Sequence, residues 1–217
     1  MLLYEYRCSS LVVVIMMTPG LNDSCEAMLS TFSPAHAYRM IHLRKAQHAV
    51  RLDYGLIEMQ AKQILSVCGC ENWSMSVSLT NDKEVRNLNR MYRQQDKDTD
   101  ILSFPNHRIS PPKTFPFDIE SSIYGTTNNE KHDEILLSLD DMDLGDIVIS
   151  VPYVNQQCYQ HGWKIAHRLP VLLTHGVCHL IGYDHELDED YQAMQETEMY
   201  ILDRIDEVDM KLGGVLE

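Results

Sequence analysis

A chain of 217 residues with 44% hydrophobic content is long enough for one α/β core of ordinary size plus appendages. The formal net charge of −14 would argue against a polyanionic partner if the acids were evenly spread. They are not: residues 118–146 hold nine acids against one base and residues 184–217 hold twelve against two. The rest of the chain carries 15 bases against 11 acids, so acidic partners are not excluded.

Residues 1–38 read as an N-terminal extension. Arg7 ahead of the apolar run Leu11 to Met17 faintly resembles a secretory signal, while Ser/Thr content with scarce acids faintly resembles a transit peptide. Met16, Met17, Met28 and Met40 are alternative starts, so the segment is expected to be a targeting sequence, disordered, or ahead of the natural start. Seven apolar residues cannot span a bilayer, and no transmembrane helix or membrane partner is expected. The six cysteines, Cys8, Cys25, Cys68, Cys70, Cys158 and Cys178, lack C-x-x-C spacing and read as free thiols in a reducing compartment.

From Tyr54 to Val67, Leu56, Ile57, Met59, Ile64 and Leu65 fall at helical spacing, whereas Trp73 to Leu79 alternates as a strand around Met75, Val77 and Leu79. Asn81 followed by Glu84 has the form of a capping box opening a helix that reaches Arg93. Val85, Leu88 and Tyr92 share one side of that helix; Lys83, Arg86, Arg90 and Arg93 form a basic stripe on the other. Such a stripe is either a solvated face or a phosphate-binding one.

Ile101 to Phe104 and Asp146 to Ser150 read as short strands. The residues between them, 106–143, are an acidic insertion rich in proline and polar runs, expected as a surface loop with partial order. Pro152 can open a helix running through Gln160, and Pro170 another from Val171 to Ile181. A last helix is expected over residues 188–208, with Tyr191, Met194, Ile201, Ile205 and Val208 on its apolar stripe. Glu198 falls on that stripe, where a carboxylate needs a partner.

The segment from His175 to His185, H-G-V-C-H-L-I-G-Y-D-H, carries the chemistry. His175 and His179 stand one helical turn apart and share a face. Gly182 lets the chain leave the helix with positive φ and turn back to present His185. Three imidazoles favour zinc over oxygen-seeking calcium or magnesium, and three protein ligands leave a coordination position open, as catalytic sites do. One zinc ion per chain is therefore expected, with Asp184 as a group to orient a ligand ring. The spacing equals that of metzincin peptidases, H-E-x-x-H-x-x-G-x-x-H, except that Gly176 stands where the peptidase base, a glutamate, belongs.

The same segment resembles the YbeY family of metal-dependent endoribonucleases, whose signature is H-G-x-x-H-L-x-G-Y-D-H. Leu88-Asn89 through Tyr92-Arg93, continued by Thr99-Asp100-Ile101-Leu102-Ser103-Phe104-Pro105, resembles the family's L-N-x-x-Y-R and T-D-V-L-S-F-P. Leu144 to Ile147 matches L-G-D-I, and Met194 with Glu198 matches M-x-x-x-E. The resemblance spans Arg39 to Val208, so residues 39–217 are expected as one YbeY-type domain. It implies an α/β fold, a small mixed sheet with surrounding helices and a metal cleft at a helix end.

The activity implied is a hydrolase cutting single-stranded RNA in ribosomal RNA maturation and ribosome quality control. Arg93 corresponds to the family's functional arginine, and ribosomal RNA with ribosomal proteins or ribosome-associated factors are the implied partners. Catalysis would then rest on Arg93, His175, His179 and His185. Whether water or the ribose 2′-hydroxyl attacks is left open. The long insertion and Cys178 look more like eukaryotic members that act in mitochondria; otherwise the cytoplasm is expected. Cys178 itself reads as core packing. Two other functions remain: a non-catalytic, metal-stabilised ribosome assembly factor, and a metallopeptidase lacking the usual base.

Overall fold

The computed structural model describes residues 5–8, 11–14, 41–107, 109, 111–112, 142–184 and 188–212. The chain divides into two compact units, Met1–Ala37 and Tyr38–Glu217. In the first, β1 (Glu5–Cys8) pairs antiparallel with β2 (Leu11–Val14), so the valine-rich run contributes a strand. Cys25 and the other residues of this unit lie outside the described residues.

The second unit is α/β. Its described elements are β3 (Ile41–Lys45), α1 (Tyr54–Val67), β4 (Ser74–Thr80), α2 (Asp82–Arg93), β5 (Ile101–Pro105), β6 (Asp143–Ser150), α3 (Val151–His161), α4 (Ile165–Leu180) and α5 (Asp188–Leu212). The sheet order is β3-β4-β6-β5, with β3, β4 and β6 parallel and β5 antiparallel to β6. The parallel pairs require crossovers, which α1 supplies between β3 and β4, and α2 with β5 between β4 and β6.

Strand alternation makes the two faces of this sheet chemically unlike. Met75, Val77, Leu79, Ile147 and Ile149 are buried on one face, in one core with Ile64 of α1, Leu173 and Val177 of α4, and Ile201 of α5. Each such side chain stabilises the fold by roughly 1.5–3 kcal/mol. The opposite face carries His42, Arg44, Ser76, Ser78 and Asp146, and only its β5–β6 edge is apolar, where Leu102 and Val148 pack under Val85 and Leu88 of α2.

Several local expectations need correction. Helix α4 begins at Ile165, so Pro170 is internal rather than initiating. The proline removes one backbone bond, and burial of Leu169, Leu172 and Leu173 offsets that loss. Met59 and Tyr191 are exposed although they share the apolar spacing of their helices. The capping box is half made: Asn81 accepts from the Glu84 backbone N–H at 3.1 Å, but the Glu84 carboxylate accepts from Arg44 at 2.6 Å and Thr80 at 2.5 Å instead. Asp82, on the first turn of α2, accepts from the Tyr153 N–H at 3.0 Å and so caps the start of α3.

The beginning of the insertion is part of the fold. Ile109 is buried in the main core, and the Tyr183 hydroxyl donates to the Pro112 carbonyl at 2.9 Å. Residues 113–141 lie outside the described residues. Cys68, Cys70, Cys158 and Cys178 are free and buried, and burial pushes the Cys178 thiol well above its ordinary value, as inert packing requires. Among the described residues no helix is long and apolar enough to cross a membrane.

Candidate active site

Helix α4 lies directly on the sheet. A Cβ at Gly176 would stand 2.7 Å from Cδ1 of Ile147 and 3.2 Å from Cδ1 of Ile101, so a side chain here would have to push the end of Ile147 aside. Because the peptidase glutamate occupies the corresponding place, a carboxylate there would be driven into the core. With position 176 pressed on the sheet, His175 is set toward α5.

His175 Nδ1 lies 2.7 Å from Oε1 of Glu198, which answers what partner the carboxylate on the α5 stripe has. A carboxylate only accepts, so Nδ1 is the protonated nitrogen and the Nε2 of the neutral ring carries a lone pair. His179 is fixed by the backbone. The end of α4 is a Schellman turn: Gly182 N–H donates to the His179 carbonyl at 3.1 Å and Tyr183 N–H to the Cys178 carbonyl at 3.0 Å. Gly182 has φ +97°, and a Cβ there would meet the Ile109 carbonyl oxygen at 2.1 Å, so both conformation and space demand glycine.

That turn brings the Tyr183 carbonyl to 3.0 Å from His179 Nδ1. A carbonyl cannot donate, so in the neutral ring Nδ1 is again the protonated nitrogen and Nε2 carries the lone pair. The two Nε2 atoms stand 3.2 Å apart with the ring planes at 89°. Two lone pairs facing each other at that distance repel unless a cation or proton lies between them. Imidazoles bound at about 2.0–2.1 Å to one tetrahedral ion stand about 3.3 Å apart, so this donor pair fits a zinc-class metal. Both rings have orienting partners, Glu198 for His175 and the Tyr183 carbonyl for His179. His185, the third expected ligand, lies outside the described residues. Among the described residues no group of three or more metal-binding side chains converges.

A cavity of about 800 Å³ opens beside this pair, with His179, Tyr183 and Asp184 on one wall and Arg93 and Gln95 on the other. Arg93 is the last residue of α2, exposed, and without an ion pair to any described residue. The helix ends directly after it: Gln94 takes a left-handed φ of 57°, and buried Asn89 donates from Nδ2 to the Lys97 carbonyl at 2.9 Å, tying down the chain that follows. The rest of the basic stripe goes elsewhere. Arg86 pairs with Asp96 at 2.7 Å and Arg90 donates to Asn87 at 2.8 Å, outside the cavity that holds Arg93.

The sequence reading missed two contributors. Asn89 positions Arg93 through the loop and was visible only as a motif letter. His107 lines the same cavity, with its ring edge-on to Trp73 at 5.4 Å, and its place in the chain just after Pro105 gave no periodic signal.

The family described as Endoribonuclease YbeY matches residues 42–206. The chain belongs to that family. It is 34% identical to Endoribonuclease YbeY of Lachnoclostridium phytofermentans over 76% of this chain and 96% of that protein. With the YbeY protein of Caldicellulosiruptor bescii it shares 30% identity over 75% of this chain and 94% of that one. A solution structure from Thermotoga maritima is similar at 20% identity and a TM-score of 0.47, covering 76% of this chain and 89% of that one. The YbeY match includes Arg93 and His179, which both line the cavity, and His175 beside it.

Proposed function

We propose that this YbeY protein is a metal-dependent endoribonuclease that cuts single-stranded RNA, with ribosomal RNA as its substrate class and ribosome maturation and quality control as its setting. The observation carrying this reading is the approach of the His175 and His179 Nε2 atoms to 3.2 Å, with His179 and Arg93 lining one cavity. His175, His179 and His185 would hold one zinc ion. When bound, that ion supplies Lewis acidity at phosphate oxygen and makes water more acidic.

The chain's own residues do the remaining work. Arg93 offers a planar fork that donates to two phosphate oxygens and offsets charge growing in the transition state. Glu198 and the Tyr183 carbonyl accept from the Nδ1–H groups and so would keep the imidazoles aimed. Gly176, packed against Ile147, supplies no carboxylate where a peptidase has its base, which weighs against amide hydrolysis. The mitochondrial matrix is the location that the long insertion and Cys178 favour.

The test is cleavage of single- and double-stranded RNA by the purified chain before and after chelation. Cutting of the single strand, lost on chelation and regained with zinc, is expected. Cutting that survives complete metal removal contradicts the metal reading, and no cutting in the presence of zinc contradicts the nuclease reading.

A further inference from the structure

A second cavity, of about 680 Å³, lies on the polar face of the sheet, and nothing in the chemistry above uses it. One row of side chains crosses all four strands there. His42 is registered with Ser76, Ser76 with Asp146, and Asp146 with Phe104. Directly paired residues on one face stand about 4.5–5.5 Å apart at Cβ, so the Asp146 carboxylate borders the Phe104 ring. Tyr92 of α2 meets that ring at 5.0 Å between centroids, inclined by 65°, and is itself 65% exposed. A large aromatic side chain held exposed at this groove, which Leu88, Phe104 and Val148 line together with Ser76 and Asp146, offers a ring face for stacking.

The two cavities share their dividing wall. Tyr92 lines the sheet-face groove while Arg93, the next residue, lines the histidine cavity; Phe104 faces the groove while Ser103 and Pro105 face the other side. A strand of RNA with a phosphate at Arg93 therefore reaches Tyr92 with an adjacent nucleotide. The groove is unsuited to the phosphate itself. Arg44 is committed to Glu84 at 2.6 Å and Ser78 at 3.2 Å, and Asp146 is an anion. What suits it is the uncharged part of a nucleotide, a base that stacks on an aromatic face and donates to a carboxylate.

We infer that the polar sheet face is a base-binding subsite for a nucleotide flanking the cut. The base stacks on Tyr92 beside Phe104 and presents its edge to Asp146. Guanine matches best, because its N1–H and N2 amino group are adjacent donors for the two oxygens of one carboxylate. This inference rests on the RNA reading of the neighbouring cavity, and it adds a specificity determinant to it.

Binding and cleavage can be separated. Fluorescence anisotropy with the full chain would use fully 2′-O-methylated uridine oligomers carrying one guanosine, or one inosine lacking the N2 amino group, at each position in turn. The wild-type chain is expected to bind the guanosine oligomer about tenfold more tightly than the inosine one at a single position. Tyr92→Leu should weaken binding about tenfold, and Asp146→Asn should remove the guanosine preference while binding persists. Unchanged melting temperatures would show that both exposed substitutions leave the fold intact.

Equal binding of guanosine and inosine at every position, or unaltered affinity in Tyr92→Leu, overturns the subsite even if the chain cuts RNA normally. Guanosine-dependent binding without any cleavage of unmodified RNA upholds the subsite and counts against the nuclease reading instead.

Discussion

The two walls of the histidine cavity are built to different tolerances. On one, His175 and His179 sit on a helix pressed into the core, and each ring is held through its second nitrogen by a defined acceptor. On the other, Arg93 ends a helix at the surface, with its flexible side chain exposed and its direction set only by a left-handed cap and one amide of Asn89. Metal ligation fails when a donor moves by a few tenths of an ångström, so its donors are fixed from behind. A phosphate can be met by a long guanidinium that finds its partner on arrival. Rigidity is spent where bond length demands it.

Substitutions can break this comparison at known points, and the largest effect should come from the rigid wall. His179→Ala removes a proposed ligand: bound zinc should vanish by elemental analysis and RNA cleavage should fall by about a thousandfold or more. On the mobile wall, Arg93→Ala should lower kcat by about 10²–10³-fold with metal content unchanged, and Arg93→Lys should recover only part of it, since an ammonium cannot fork. Loss of zinc in Arg93→Ala would mean that the walls are not independent. Glu198→Gln keeps the shape but weakens the acceptor behind His175, and zinc affinity by competition titration should drop about 10–100-fold.

Asn89→Ala should sharpen the picture of the other wall. It leaves the Lys97 carbonyl short of a donor and costs about 1–3 kcal/mol by denaturant unfolding, with a fall in kcat and retained zinc.

The smallest effect is expected at Glu84. Hydrogen bonds from Arg44 first and Thr80 next hold its carboxyl below the ordinary carboxylate value, against the opposing effect of burial. A depressed folded-state value means that the ion pair stabilises above the unfolded-state value and is lost as pH falls through the folded one. Glu84→Gln should therefore cost no more than about 1 kcal/mol at neutral pH, since the pair is partly exposed, and nothing in strong acid.

The rigid wall was largely legible in the sequence because its determinants are local. One turn of helix and one glycine are spacing facts, and Gly182 indeed takes positive φ. Even the misplaced Glu198 announced that a partner was missing, although naming His175 required the packing of α5 on α4. The mobile wall was not legible in that way. Arg93 belonged to a stripe of four basic residues with one periodicity, and what separates it from Arg86 and Arg90 is a change of chain direction at Gln94, a residue with no strong turn propensity. Only the motif resemblance distinguished it.

The extent of α4 was misread because proline at a helix start and proline within a helix look alike until the preceding residues are seen to pack. The polar sheet face went unremarked because an alternating strand signals its buried residues, while the serines between them read as ordinary solvent-facing positions. Their meaning came from register, which set Ser76, Asp146 and Phe104 in one row.

The central claim is that the Nε2 atoms of His175 and His179 hold one cation, with a third nitrogen from His185 and no further protein ligand. X-ray absorption at the zinc edge of the purified chain tests it most directly. The account predicts three nitrogen neighbours at about 2.0–2.1 Å and one light oxygen neighbour. A sulfur neighbour, four imidazole nitrogens, or no zinc bound at all would contradict it.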